Sequence, residues 1–133
     1  MAPQPLENKF KESPFIEQMM VVGDGKKFVS ALIVPSFPNL KTWCEKNGIE
    51  LVGNNVAVKN EKIIEMIQQV VDDMNTNFGH TEQIKKFVLV PDEWTIQGGQ
   101  LTPTMKLKRK VIMERYKNFI DAMYSDSLID EVV

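Results

Sequence analysis

Residues 15–34 read FIEQMMVVGDGKKFVSALIV, two apolar runs separated by the five residues GDGKK. Each run has the length and the aliphatic and aromatic content of a strand. The link between them is far shorter than the dozen or more residues that a parallel crossover requires, so the two runs predict an antiparallel hairpin. Gly23 and Gly25 are placed to supply the positive φ such a turn needs.

Outward from the hairpin the chain divides into short, well-punctuated elements. Upstream, Pro3 and Pro5 open a helix of about two turns in which Leu6 and Phe10 share a face, and Ser13-Pro14 ends it. Downstream, Pro35 and Pro38 close the second strand. A helix carrying Leu40, Trp43 and Cys44 then runs to the stop signal Asn47-Gly48. Between residues 60 and 78, Ile63, Ile64, Ile67, Val70, Val71, Met74 and Phe78 recur at spacings of three and four, which predicts a long amphipathic helix capped by Asn60. Residues 86–90 (KFVLV) predict a third strand ended by Pro91, and residues 94–102 a small hairpin turning on Gly98 and Gly99. Residues 108–123 predict one last helix with Val111, Ile112, Tyr116, Phe119, Ile120 and Met123 at helical spacing. The expected fold class is α+β: a small, largely antiparallel three-stranded sheet flanked by helices, plus a small two-stranded hairpin. Residues 1–125 form the domain, and 126–133 read as an acidic, frayed tail.

With 133 residues, 43% of them hydrophobic and 26% charged, the chain has the balance of one globular domain with a modest core. No apolar run approaches the ~20 residues that span a bilayer, and residues 1–14 lack a signal-peptide core, so a cytoplasmic location is the default. A single cysteine excludes an internal disulfide and a thiolate-rich metal site. A net charge of −2 opposes a dedicated nucleic-acid binder, which is strongly basic as a rule.

Most polar candidates have ordinary explanations. His80, the only histidine, follows Gly79 at a helix end, where a basic side chain suits the dipole. Cys44 reads as a small buried hydrophobe. Asp72 and Asp73 are adjacent on a helix and diverge by about 100°, which favours solvent over a shared metal. GDGKK lacks the strand-to-helix setting of a phosphate loop.

The stretch LTPTMKLKRK, residues 101–110, is different, because four of its last five residues are basic. It can be read as a nucleic-acid patch, as a plain helix surface, or as a loop delivering one lysine to an anion. Lys108, Arg109 and Lys110 suit the solvated first turn of a helix, although basic groups there oppose the dipole. Lys106 stands apart, beyond the turn formed by Thr102, Pro103 and Thr104, where its ammonium is a mobile point charge suited to phosphate or carboxylate oxygens.

The stretch APQPLENKFKESPFIEQMMVVGDGKKFVSALIVP together with LTPTMKLKRKVIMERY resembles the small C-terminal domain of adenylate-forming enzymes, in particular long-chain acyl-CoA synthetases. The resemblance covers the whole chain. It implies that Lys106 is the adenylation lysine, that Thr102, Pro103 and Thr104 form its supporting turn, and that Arg109 and Lys108 are candidates for anion or interdomain contacts. Many relatives carry glycine where Met105 stands, while a bulky apolar residue is familiar in the long-chain branch; Gln97-Gly98-Gly99-Gln100 departs from the more acidic hairpin of the family. The implied reaction joins a fatty acid to ATP as an acyl-adenylate and then transfers the acyl group to CoA, with Mg2+ accompanying ATP and no metal held by this chain. The implied partner is a large N-terminal adenylation domain of the same polypeptide, which carries the ATP loop and acyl tunnel, so that the isolated chain is expected to be inactive. Peripheral membrane association of the complete enzyme goes with that reading. Two alternatives stand beside it: a free-standing interaction module, or a nucleic-acid binder using residues 106–110, which a steep salt dependence of DNA or RNA affinity would reveal.

Overall fold

The computed structural model describes residues 2–132, with side chains for residues 2–125; the tail expected at 126–133 lies outside the residues whose side chains are described. Helix α1 (Pro3–Phe10) leads into the hairpin of β1 (Ile16–Val22) and β2 (Val29–Pro35). Helices α2 (Phe37–Lys46), α3 (Asn54–Ala57) and α4 (Glu61–Asn75) precede β3 (Ile84–Leu89), and α5 (Arg109–Arg115) and α6 (Lys117–Val132) close the chain.

The hairpin forms as its short link requires, with Val21 opposite Ala31 and Val22 opposite Ser30. Of its two glycines only Gly25 has a left-handed φ, +69°. The third strand corrects the expected topology. The sheet order is β1-β2-β3 and β3 runs parallel to β2, so the sheet is mixed and not largely antiparallel. The physical reason is the long β2–β3 connection, in which α2, α3 and α4 carry the chain back to the starting edge before it re-enters the sheet.

Helices cover both faces, which is why β2, the central strand, is buried at all seven positions and shows no polar alternation. A register shift between Ile16 and Gln18 sets the phase of β1, after which Met19 and Val21 face one side and Met20 and Val22 the other. On the first side Leu6 and Phe10 of α1, Leu40 and Cys44 of α2, and Ile63, Ile67 and Val71 of α4 pack over Ala31 and Ile33. On the second, Leu32 and Val34 meet Trp94, Leu101, Ile112, Tyr116 and Ile120.

The caps follow the residues. The Asn60 side chain accepts from the Lys62 and Ile63 amides at 2.9 and 3.1 Å, starting α4. At the other end Asn75 is buried and pairs through its side chain with both the N–H and the C=O of Ile84, tying the helix end to β3. The expected helix over 60–78 therefore stops three residues early. The single helix expected over 108–123 is two, α5 and α6, broken at Tyr116 (φ −107°, ψ 24°), and Phe119 points outward.

Candidate functional site

Leu101 and Leu107 form an antiparallel bridge, and the residues between them make the hairpin that was expected further upstream. Residues 94–96 are not a strand. Gly98 and Gly99 instead form a compact turn in which a side chain at Gly98 would strike the Gln100 and Thr95 side chains. Across the real hairpin the Thr102 amide donates to the Lys106 carbonyl (2.8 Å) and the Met105 amide to the Thr102 carbonyl (2.8 Å). The Lys106 amide donates to Thr102 Oγ1 at 3.1 Å, and the Thr102 and Thr104 hydroxyls lie 3.1 Å apart. Pro103 fixes φ at the second position of this turn. Met105 follows it with φ +67°, the only non-glycine residue with positive φ among the described residues. A turn followed by a left-handed residue is the three-residue hairpin loop that normally places glycine there.

Lys106 emerges from this loop exposed, and neither it nor Lys108 makes a salt bridge among the described residues. Arg109 does. Its Nη1 donates to Glu7 Oε2 at 2.7 Å and its Nη2 to Glu7 Oε1 at 2.6 Å, a two-pronged pair in which the Glu7 side chain is 4% exposed. Glu7 Oε2 also accepts the Val21 amide at 2.8 Å, satisfying an N–H on the outer edge of β1. The hydrogen bond to Glu7, with the carboxylate's charge, raises the Arg109 pKa against the opposing effect of burial. The guanidinium thus locks the start of α5 to α1 and β1.

A second polar clamp holds the other side of the loop. The Gln18 amide donates to the Trp94 carbonyl (2.8 Å) and accepts from the Trp94 amide (2.7 Å), as a neighbouring strand would. Trp94 Nε1 donates to the Tyr116 hydroxyl at 3.2 Å, and burial pushes the Tyr116 pKa up. Glu7, Gln18, Trp94, Met105, Lys106 and Arg109 all line one open cleft of about 580 Å³ between α1, β1 and the loop. Thr102, Pro103 and Thr104 form one turn with Lys106 just past it, and of these four only Lys106 lines the cleft. Glu7 and Gln18 are the residues sequence reasoning missed. The available signal was a carboxylate next to Leu6 on the apolar side of α1, and an amide within an otherwise apolar strand. Elsewhere His80 is exposed in a 3-10 turn (His80–Glu82), and burial raises the Cys44 pKa. Among the described residues no three His, Cys, Asp or Glu side chains come together as a metal site, and no helix is long and apolar enough to cross a bilayer.

The chain is 36% identical over 127 residues to a long-chain-fatty-acid–CoA ligase of Mycobacterium tuberculosis, a match covering 94% of this chain and 21% of that protein. It is 31% identical over 143 residues to a long-chain-fatty-acid–CoA ligase of Gallus gallus, covering 94% and 19%. The chain therefore spans about a fifth of the length of these curated relatives. Among solved structures it superposes on the A-PCP didomain of carboxylic acid reductase from Segniliparus rugosus, in complex with AMP, with a TM-score of 0.74 at 20% identity, covering 95% of this chain and 16% of that one. A fatty acyl CoA synthetase of Mycobacterium tuberculosis gives 0.51 at 16% identity, covering 88% and 18%. Residues 1–128 match the family described as AMP-binding enzyme C-terminal domain, and the chain belongs to that family.

Proposed function

We propose that this chain is the lid of a long-chain fatty-acid–CoA ligase and that Lys106 serves its adenylation step. The observation that carries the reading is the Lys106 loop itself: its backbone is fixed by Thr102 on both sides, while the ammonium is left exposed at the tip. Such a group combines a defined attachment point with a free point charge. In the complete enzyme Lys106 Nζ would reach the fatty-acid carboxylate and the α-phosphate region of ATP on the large N-terminal domain. There it would orient the carboxylate oxygen that attacks phosphorus, and stabilise the negative charge that builds up as pyrophosphate leaves. Rotation of the lid would then withdraw Lys106 and let CoA approach the adenylate.

Thr102, Pro103 and Thr104 hold the lysine's base. Lys108, exposed beside it, is placed for a contact with the large domain. Arg109, already engaged with Glu7, acts as an internal anchor and is not a free anion ligand. Mg2+ would accompany ATP on the large domain. A cytoplasmic enzyme with peripheral membrane attachment is consistent with this division of labour.

The test uses Lys106→Ala in the complete ligase, supplied with preformed acyl-adenylate and CoA. Thioester formation should stay within about threefold of the parent while the overall reaction from free acid falls by about 10²–10³, the usual effect of removing one preorganised charge-stabilising group. Equal loss of both activities, or loss of neither, refutes the assigned role.

A further inference from the structure

Met105 combines two features that do not belong together in a residue serving its own fold. Its backbone is left-handed, φ +67°, a conformation that glycine or asparagine adopts far more readily than a side chain of this size. The residue is 63% exposed, so packing within the described residues does little to offset that cost. A strained residue whose large apolar side chain is left mostly bare points to a contact made elsewhere. It also has a fixed relation to Lys106, the next residue, because consecutive Cα atoms lie about 3.8 Å apart and the loop's backbone hydrogen bonds allow little independent movement. Wherever Lys106 is delivered, Met105 goes with it.

We infer that Met105 is a second contact residue of the adenylation state, seating its thioether side chain on an apolar surface beside the carboxylate end of the bound fatty acid. The inference rests on the proposed role of Lys106. An unbranched, polarisable side chain can follow an irregular surface at the mouth of an acyl site, and its burial there would exclude water from the reacting carboxylate. Part of the apolar contact is thereby made only when the lid is in its adenylating position. Met105 would thus favour that position over the one used for CoA transfer.

The experiment compares Met105→Gly, Met105→Asn and Met105→Leu in the complete ligase, with Lys106→Ala as reference, measuring acyl-adenylate formation and CoA transfer to supplied adenylate separately. Glycine removes both the strain and the contact, asparagine tolerates the left-handed backbone but is polar, and leucine keeps an apolar side chain at the parent's backbone cost. The Leu variant should stay within about twofold of the parent. The Gly and Asn variants should lose about tenfold in kcat/KM for the fatty acid, with CoA transfer unchanged. The inference is overturned if Met105→Asn matches the parent, if Met105→Leu falls with the other two, or if both half-reactions drop together. Collapse of adenylation in Lys106→Ala with none in Met105→Asn removes this inference alone; an unaffected Lys106→Ala removes the functional reading beneath it as well.

Discussion

The Glu7 carboxylate is the residue on which three parts of the domain converge: its own helix, the outer edge of β1 through the Val21 amide, and the start of α5 through Arg109. Neutralising it without changing its shape, Glu7→Gln, leaves one acceptor oxygen where two were used and loses the charge assistance. Because the Arg109 side chain is 39% exposed and can recover water, the cost should be about 2 kcal/mol, below the 3–5 kcal/mol of a fully buried broken pair. Denaturant unfolding of the variant checks it; a change below about 0.5 kcal/mol would mean that solvent already screens the pair. At this scale the sequence was legible where a residue acts through its neighbours in the chain. Lys106 was separable from Lys108 because a Thr-Pro-Thr turn is local. Arg109 was legible only as a candidate anion or interdomain contact, because its partner Glu7 lies 102 positions away and nothing in a run of basic residues reveals a distant buried carboxylate.

Elements were legible to the extent that their signals are periodic or capped. Asn60 was identifiable as a cap, and Asn60→Ala should cost about 1 kcal/mol in equilibrium unfolding, since two amides lose their acceptor. The direction of β3 was not legible, because KFVLV pairs equally well either way and only the path of the intervening helices decides. The break at Tyr116 was hidden for a related reason: the pattern of α5 and α6 is continuous, but Tyr116 is buried and bonded to Trp94 on another element. A further tie of this kind joins α6 to the first hairpin. The Tyr124 hydroxyl donates to the Phe28 carbonyl at 2.7 Å, accepts from Ser30, and the Tyr124 and Phe28 rings stack at 4.5 Å. Burial raises the Tyr124 and Tyr116 pKa values above the ordinary 10.0. The folded state therefore keeps these protons when the unfolded chain has released them. The stability this represents is complete below pH ~10 and is lost as pH rises through the folded values. Tyr124→Phe should flatten the fall in unfolding free energy above pH ~10 while costing about 1 kcal/mol at neutral pH; an unchanged alkaline slope would rule the linkage out.

On the scale of the whole molecule, the sheet buried between two helical layers is a rigid carrier, and the clamps at Glu7–Arg109 and Gln18–Trp94 fasten the 101–107 loop to it from both sides. The functional reading follows from that architecture. A lysine whose backbone is fixed to a rigid body can be moved into and out of a site by moving the body, with no reorganisation of the loop. The family and the loop motif were open to sequence reading because the residues that shape the turn are contiguous. The cleft was not, since α1, β1 and the loop meet only in the folded chain. The most direct test of the account is the single-turnover rate of acyl-adenylate formation by the complete ligase at saturating ATP and fatty acid, for Lys106→Ala against the parent. A rate lower by about 10²–10³ is predicted. A rate within threefold of the parent would contradict it.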